Sequence, residues 1–199
     1  MKIIGRHKIA LIMIALGMVL SASCTSQAPA AKPRTYSAPP PMVIDTTKEY
    51  TATIETEKGS LVLELFASDV PITVNNFVFL AREGFYDGSS FHRVIPGFMA
   101  QGGDPTGTGM GGPGYIFNNE ITEHTHVAGA LSMANAGADT NGCQFFITYQ
   151  ARHELDGDYS VFGQLIAGTD VLESLTPRAP RQNPDFEGDR IIRITITES

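Results

Sequence analysis

Glycine divides the second half of the chain into short apolar stretches, and this pattern most limits the possible folds. The stretches include LSMANA at 131–136, QFFITY at 144–149 and VFGQLI at 161–166. Two further segments, YTATIETE at 50–57 and IRITITE at 192–198, alternate apolar and polar residues, which is typical of half-buried strands. Many short strands with few helices favour a β-sandwich or a β-barrel.

Two helices are predicted between these strands. Asp69 precedes Pro71, and apolar residues then recur at helical spacing as far as Gly84. This pattern predicts a capped amphipathic helix over about residues 71–83. A second, shorter helix is predicted after Gly168.

The N-terminus has the residue order of an export signal. Basic residues precede an apolar run at 9–20, and small residues then lead to Cys24. The run is too short to span a bilayer comfortably. A cysteine in this place resembles that of a bacterial lipoprotein signal, in which residues 1–23 are removed and Cys24 is lipidated, although Ser21 stands where such signals usually have leucine. The alternative is an ordinary secretory signal that is cleaved nearby.

Composition separates a tether from a folded domain. Residues 24–48 are rich in Ala, Ser and Pro, so we predict an extended tether there and a folded domain over residues 49–199. If Cys24 is lipidated, Cys143 has no partner and the domain depends on packing. Three of the 14 basic residues precede Cys24, which leaves 11 against 21 acidic residues and a formal charge of −10. Such a chain repels phosphate backbones, so nucleic acid is not expected as a partner.

Several motifs occur together in one order along the chain. They are FHRVIPGFMAQGGD, GTGMGGPG, LSMANAG, NGCQFFIT, LDG and VFG. In this order they resemble the motifs of the cyclophilins, which are peptidyl-prolyl cis/trans isomerases, and the resemblance covers about residues 50–198. It implies an all-β fold: a closed eight-stranded antiparallel barrel capped by two α-helices, with the substrate in a groove on its outer face.

The resemblance also implies roles for individual residues. The catalytic arginine of the family falls on Arg93, and the glutamine beside it falls on Gln101. The second glutamine of the groove falls on Gln144. The proline pocket falls on Phe98, Met99, Phe146 and Leu155, and the strand that pairs with the substrate backbone falls on Ala134, Asn135 and Ala136.

Two positions depart from the family pattern. Many members have histidine at the pocket edge where this chain has Tyr159, which still offers an aromatic wall. Cyclosporin-sensitive members have tryptophan where this chain has Glu154. We therefore expect weak cyclosporin binding together with ordinary turnover of proline peptides.

Three other signals are weaker. The spacing of His124 and His126 permits metal binding, but no third ligand stands near them in the sequence, so no metal site is predicted. GTGMGGPG lacks the Lys and Ser/Thr of a phosphate-binding loop and is interpreted as a flexible turn beside the groove. Cys143 has no obvious base partner and is interpreted as a small packed thiol.

No nucleophile accompanies the predicted site, which suits a reaction that makes and breaks no bond. Rotation about an X-Pro bond needs a donor that favours the twisted amide, and Arg93 offers several rigid donors. We therefore expect a monomeric isomerase without cofactors, anchored by Cys24 outside the bacterial cell membrane or secreted, that helps exported proteins containing proline to fold. The alternatives are a non-catalytic module that binds peptides in the same groove and a surface scaffold; the presence of Arg93 and Gln101 favours the enzyme.

Overall fold

The computed structural model describes residues 35–180, 182 and 185–199. The elements, in chain order, are β1 (Tyr50–Thr56), β2 (Gly59–Leu65), α1 (Pro71–Arg82), β3 (Arg93–Ile95), β4 (Met99–Gly102), β5 (Ala130–Met133), β6 (Phe145–Thr148), β7 (Val161–Ala167), α2 (Thr169–Ser174) and β8 (Ile191–Glu198). A short 3-10 helix spans His153–Leu155. The predicted signal peptide and Cys24 lie outside the described residues.

The eight strands form one antiparallel sheet in the order β3-β4-β6-β5-β7-β2-β1-β8. The predicted all-β fold with two helices is confirmed, but the closure of the barrel is only partial. The edge strands β3 and β8 share no continuous ladder. Only isolated bridges lie near these edges among the described residues: Ser90, before β3, pairs with Arg190, directly before β8, and Val94 of β3 pairs with Arg178, which follows α2. The sheet is therefore a curled half-barrel.

The core lies on the concave side of this sheet. Alternation in β1 and β2 directs every second side chain inward, and Ile54 and Leu63 are fully buried there. Helix α1 covers the core and packs Phe77 against Tyr86, Phe145 and Phe162 at ring-centroid distances of 5.2 to 5.5 Å. None of the helices among the described residues has the length and apolar character needed to cross a membrane.

Helix α1 begins at Pro71 as predicted, but its cap comes from elsewhere in the chain. Val70 precedes the helix and makes no side-chain cap. The carboxylate of Glu120 instead accepts the backbone N–H groups of Ile72 and Thr73, at 3.1 and 2.6 Å. Asp69, the predicted start signal, binds His124 at 2.7 Å. A distant loop therefore satisfies the exposed donors of the helix.

Part of the predicted tether lies against the domain. The ring of Tyr36 packs on Phe79 and Tyr115, and its backbone N–H donates to Pro113. The side chain of Asn75 in α1 accepts the N–H of Val43 at 2.7 Å and donates to the carbonyl of Pro41 at 3.0 Å. We call residues 35–44 the N-terminal strap. A few apolar and backbone contacts attach it, although its composition is that of a linker.

Candidate active site

A tight turn brings the predicted catalytic arginine beside its glutamine. Strands β3 and β4 are joined through Pro96 and Gly97, and Gly97 has a φ of +69°, which glycine adopts readily at the third position of such a turn. The register pairs Arg93 with Gln101, so both side chains lie on one face. The Arg93 Nη1 atom lies 3.5 Å from the Gln101 Oε1 atom and 3.6 Å from the Met99 sulfur.

A second glutamine extends this pair into a polar row. Gln101 donates from Nε2 to the Gln144 Oε1 atom at 2.9 Å. Gln144 in turn donates to the carbonyls of Gly109 and Gly111 at 3.1 and 2.9 Å. The row fixes Gln101 from the side opposite Arg93, so its carbonyl oxygen faces the guanidinium.

An apolar pocket opens beside this row. Its cavity volume is about 180 Å³, and its lining residues are Arg93, Phe98, Met99, Gln101, Ala134, Asn135, Phe146, Leu155 and Tyr159. An adjacent cavity of about 310 Å³ includes Ala136, Gln144 and the glycine-rich loop among its lining residues. The structure thus brings together all eleven residues that the sequence assigned to catalysis and substrate binding, while their roles remain predictions.

Alternation along β6 places one phenylalanine in the core and the next in the pocket. Phe145 is fully buried in the core and packs on Phe77 and Tyr86. Phe146 points the other way and lines the pocket. The ring of Tyr159 meets Phe146 edge to face, at 5.7 Å and 87°. Tyrosine therefore keeps an aromatic wall at a position where many family members have histidine.

The guanidinium of Arg93 keeps donors for a ligand. It lies over the Phe98 ring at 5.7 Å from the centroid. Within the described part of the chain no carboxylate forms an ion pair with Arg93, whereas Arg152 approaches Glu154 at 3.5 Å. Because no carboxylate among the described residues pairs with it, Arg93 can direct its charge and its N–H groups into the pocket.

Residues 134–136 were predicted to form the strand that pairs with a substrate backbone, but they follow the end of β5 at Met133 and are not in a strand. The N–H of Ala134 donates to Gln144, and the N–H of Ala136 donates to the Thr140 hydroxyl. Among the described residues the backbone N–H of Asn135 has no such partner. The backbone N–H of Asn135 can therefore donate a hydrogen bond to a peptide in the groove.

Asp104 beside the groove has a role that no sequence motif had predicted. Its carboxylate accepts backbone N–H groups from Thr106, Gly109 and Gly111, at 2.7, 2.6 and 3.1 Å. Burial raises the pKa of Asp104, but these donors outweigh burial and lower it overall. An aspartate at the start of a glycine-rich loop is itself a turn signal and could have indicated this role.

The two histidines with metal-binding spacing and Cys143 all contact other parts of the domain. His124 stacks on Phe66 and binds Asp69, whereas His126 binds Asp156. The part of the chain that the structure covers holds no group of three or more residues able to bind a metal ion. Cys143 is 1% exposed, and burial raises the pKa of its thiol, which agrees with its interpretation as a small packed thiol.

Comparison with known proteins assigns the family. Residues 51–196 match the family model described as cyclophilin type peptidyl-prolyl cis-trans isomerase/CLD. The chain belongs to the cyclophilin family. As a cyclophilin it is a peptidyl-prolyl cis/trans isomerase, which confirms the predicted activity.

Individual cyclophilins support this assignment. The peptidyl-prolyl cis-trans isomerase of Synechococcus elongatus is 52% identical over 145 residues, which cover 73% of this chain and 94% of that protein. Peptidyl-prolyl cis-trans isomerase B of Bacillus subtilis is 53% identical over 115 residues, covering 57% of this chain and 80% of that protein. A crystal structure of a cyclophilin type isomerase from Cryptosporidium parvum matches with a TM-score of 0.70 and 40% identity, covering 76% of this chain and 99% of that chain.

Proposed function

We propose that Arg93 is the catalytic residue of this isomerase and that the apolar pocket beside it holds the proline ring. The observation that carries this proposal is the Arg93 guanidinium at the rim of the pocket, which forms no ion pair with a carboxylate among the described residues. A related Cryptosporidium parvum isomerase has been crystallised in the presence of the dipeptide Ala-Pro, which supports a proline peptide as the ligand.

The reaction requires a donor that acts on the twisted amide. Rotation about an X-Pro bond has a barrier of about 18 to 20 kcal/mol, because the amide loses its resonance. In the twisted state the proline nitrogen regains a lone pair and can accept a hydrogen bond. An arginine N–H aimed at that nitrogen therefore binds the transition state more strongly than either ground state.

The pocket and the glutamine row have separate parts in this mechanism. Phe98, Met99 and Phe146 hold the proline ring still while the remainder of the amide turns. The twisted carbonyl has lost charge separation, so an apolar surrounding favours it relative to water. Gln101 keeps the guanidinium in place, and its own position is set by Gln144.

Replacing the arginine at position 93 with lysine tests whether catalysis needs only the positive charge or also the geometry of the donors. Arg93→Lys keeps the positive charge and loses the rigid fork of donors. We expect kcat/KM for a proline peptide to fall at least about tenfold with little change in KM, because the lost contact exists only in the transition state. A variant that retains the parent kcat would show that the fork of Arg93 is not needed.

We further propose that the enzyme acts outside the cytoplasm, anchored by a lipid on Cys24, and assists the folding of exported proteins. Support comes from the order of basic, apolar and small residues before Cys24. The remaining chain carries a formal charge of −10, which gives it no electrostatic attraction to anionic lipid headgroups.

The anchor is tested by removing the thiol. Cys24→Ala should move the protein from the membrane fraction to the soluble fraction, because the lipid has no other acceptor. Cys143→Ala is the matched control, since it removes the other cysteine of the chain and should leave the protein on membranes. Retention of the Cys24→Ala protein on membranes would contradict the proposal.

A further inference from the structure

A buried histidine lies directly behind the proline pocket. The side chain of His126 is fully buried and is not among the residues that line the pocket. Its ring lies parallel to that of Phe146, with 5.8 Å between centroids and 7° between planes. The same histidine ring meets Tyr159 edge to face, at 6.3 Å and 88°. His126 therefore contacts two walls of the pocket from the protein side.

Polar contacts fix the orientation of the histidine ring. The Nδ1 atom of His126 lies 2.7 Å from a carboxylate oxygen of Asp156, and the backbone N–H of His126 donates to the same oxygen at 2.8 Å. The Nε2 atom lies 3.1 Å from the hydroxyl of Ser132. Both ring nitrogens thus have a partner, and rotation of the ring would leave buried polar groups unpaired.

The anchoring residues are themselves held. The second carboxylate oxygen of Asp156 lies 3.0 Å from the Nδ1 atom of His153 in the 3-10 helix. The hydroxyl of Ser132 lies within hydrogen-bond distance of the carbonyl of Ser160, at 3.0 Å. Through Ser132 the His126 ring is therefore linked to β5. Through Asp156 it is linked to the 3-10 helix that contains Leu155.

We propose that His126 is a positioning residue for this isomerase: its fixed ring holds Phe146 and Tyr159 in the orientation that shapes the proline pocket. Offset parallel and edge-to-face contacts are the favoured geometries of ring pairs, so each of the two walls gains a preferred position from the histidine. The proposal rests on the isomerase activity and assigns His126 no contact with the substrate.

The kinetic signature of this role differs from that of Arg93. The pocket holds the proline ring in the cis, trans and twisted states alike, so its walls contribute uniform binding. Loss of uniform binding raises KM and leaves kcat nearly unchanged. Loss of the Arg93 donor has the opposite effect, because that contact forms only in the twisted state.

Two substitutions separate the stacking from the hydrogen bonds. His126→Ala removes both, whereas His126→Phe keeps a ring of similar shape and loses the contacts with Asp156 and Ser132. We expect His126→Ala to raise KM for a proline peptide about tenfold, as a displaced wall would. His126→Phe should be less stable than the parent protein and should keep a KM within about twofold of the parent value.

Matched controls complete the experiment. His124→Ala removes a histidine two residues away that packs on Phe66 and should leave KM unchanged. His126→Gln removes the ring while keeping a polar side chain, and it replaces His126→Ala if the alanine variant does not fold. The parent protein is assayed first. If it has no isomerase activity, the proposed function fails, and this outcome is distinct from a failure of the proposal about His126. An unchanged KM in the ringless variant, or an equal rise in KM for His126→Phe and His126→Ala, would overturn the proposal.

Discussion

At the scale of single residues, Asp156 shows how the site is supported from behind. Burial raises the pKa of this carboxyl, but donors from His126 and His153 outweigh burial and bring the pKa to about 2, against an ordinary value of 3.8. A carboxylate with a lowered pKa stabilises the folded state above its ordinary pKa and loses that contribution as the pH falls through the folded value.

This contribution predicts a difference in acid stability. Between about pH 4 and pH 2 the parent protein should lose more of its free energy of unfolding than Asp156→Asn, because the amide cannot titrate. Denaturant unfolding at several pH values measures the difference. Glu123→Gln, which removes an exposed carboxylate, should follow the parent curve. Parallel curves for the parent protein and Asp156→Asn would show that the contacts of Asp156 add no pH-dependent stability.

Glu154 is the residue at which this cyclophilin departs from the drug-sensitive pattern. Its side chain is 62% exposed and lies 3.5 Å from Arg152, next to Leu155 of the pocket. A carboxylate offers a mostly apolar cyclic inhibitor neither apolar area nor an N–H donor, and tryptophan offers both. The substrate pocket does not include Glu154.

Inhibition and turnover should therefore respond differently at this position. Glu154→Trp should strengthen inhibition by cyclosporin at least about tenfold, as expected for an added aromatic contact worth about 1.4 kcal/mol or more. Turnover of proline peptides should change little. Titration of cyclosporin against both proteins is the measurement, and tight inhibition of the parent protein would refute the predicted weak binding.

At the scale of elements, one side chain of α1 makes two hydrogen bonds with the N-terminal strap. Asn75 is 3% exposed and satisfies backbone groups of Val43 and Pro41. Asn75→Ala leaves these groups without their partner and should lower the free energy of unfolding by about 1 to 3 kcal/mol.

A surface asparagine supplies the control for the strap. Asn118 is exposed, so Asn118→Ala should change the stability by less than about 0.5 kcal/mol. Isomerase activity should persist in both variants, because neither residue lines the proline pocket. Equal stability of Asn75→Ala and the parent protein would show that the contacts of Asn75 with the strap contribute nothing to folding.

Local sequence signals predict where a helix begins and ends better than they predict which distant residues contact it. Proline and glycine give the ends of α1 to within one residue, since the prediction of 71–83 compares with Pro71–Arg82. The cap from Glu120 was not predictable because that residue lies 48 positions away from Ile72. The spacing of His124 and His126 indicated at most a metal site, whereas their actual partners come from other parts of the chain.

At the scale of the whole molecule, the sheet assembles a site from four separate parts of the sequence. The β3–β4 hairpin brings Arg93 and Gln101, β6 brings Phe146, and the loops after β5 and before β7 bring Asn135 and Tyr159. The periodicity of the chain predicted strands without their order, and the family resemblance supplied the arrangement. The partial closure of the sheet and the attached strap depend on contacts between distant residues, which periodicity does not report.

The central claim is that this groove catalyses rotation and does more than bind proline peptides. The most direct test is two-dimensional exchange NMR on a proline peptide with the parent protein and Arg93→Ala, combined with a titration of binding. The parent protein should accelerate cis/trans exchange, and Arg93→Ala should bind with similar affinity while its exchange rate falls about 100-fold, as for the loss of one transition-state donor. A folded Arg93→Ala protein with the parent exchange rate, or a parent protein that binds without accelerating exchange, would contradict the account.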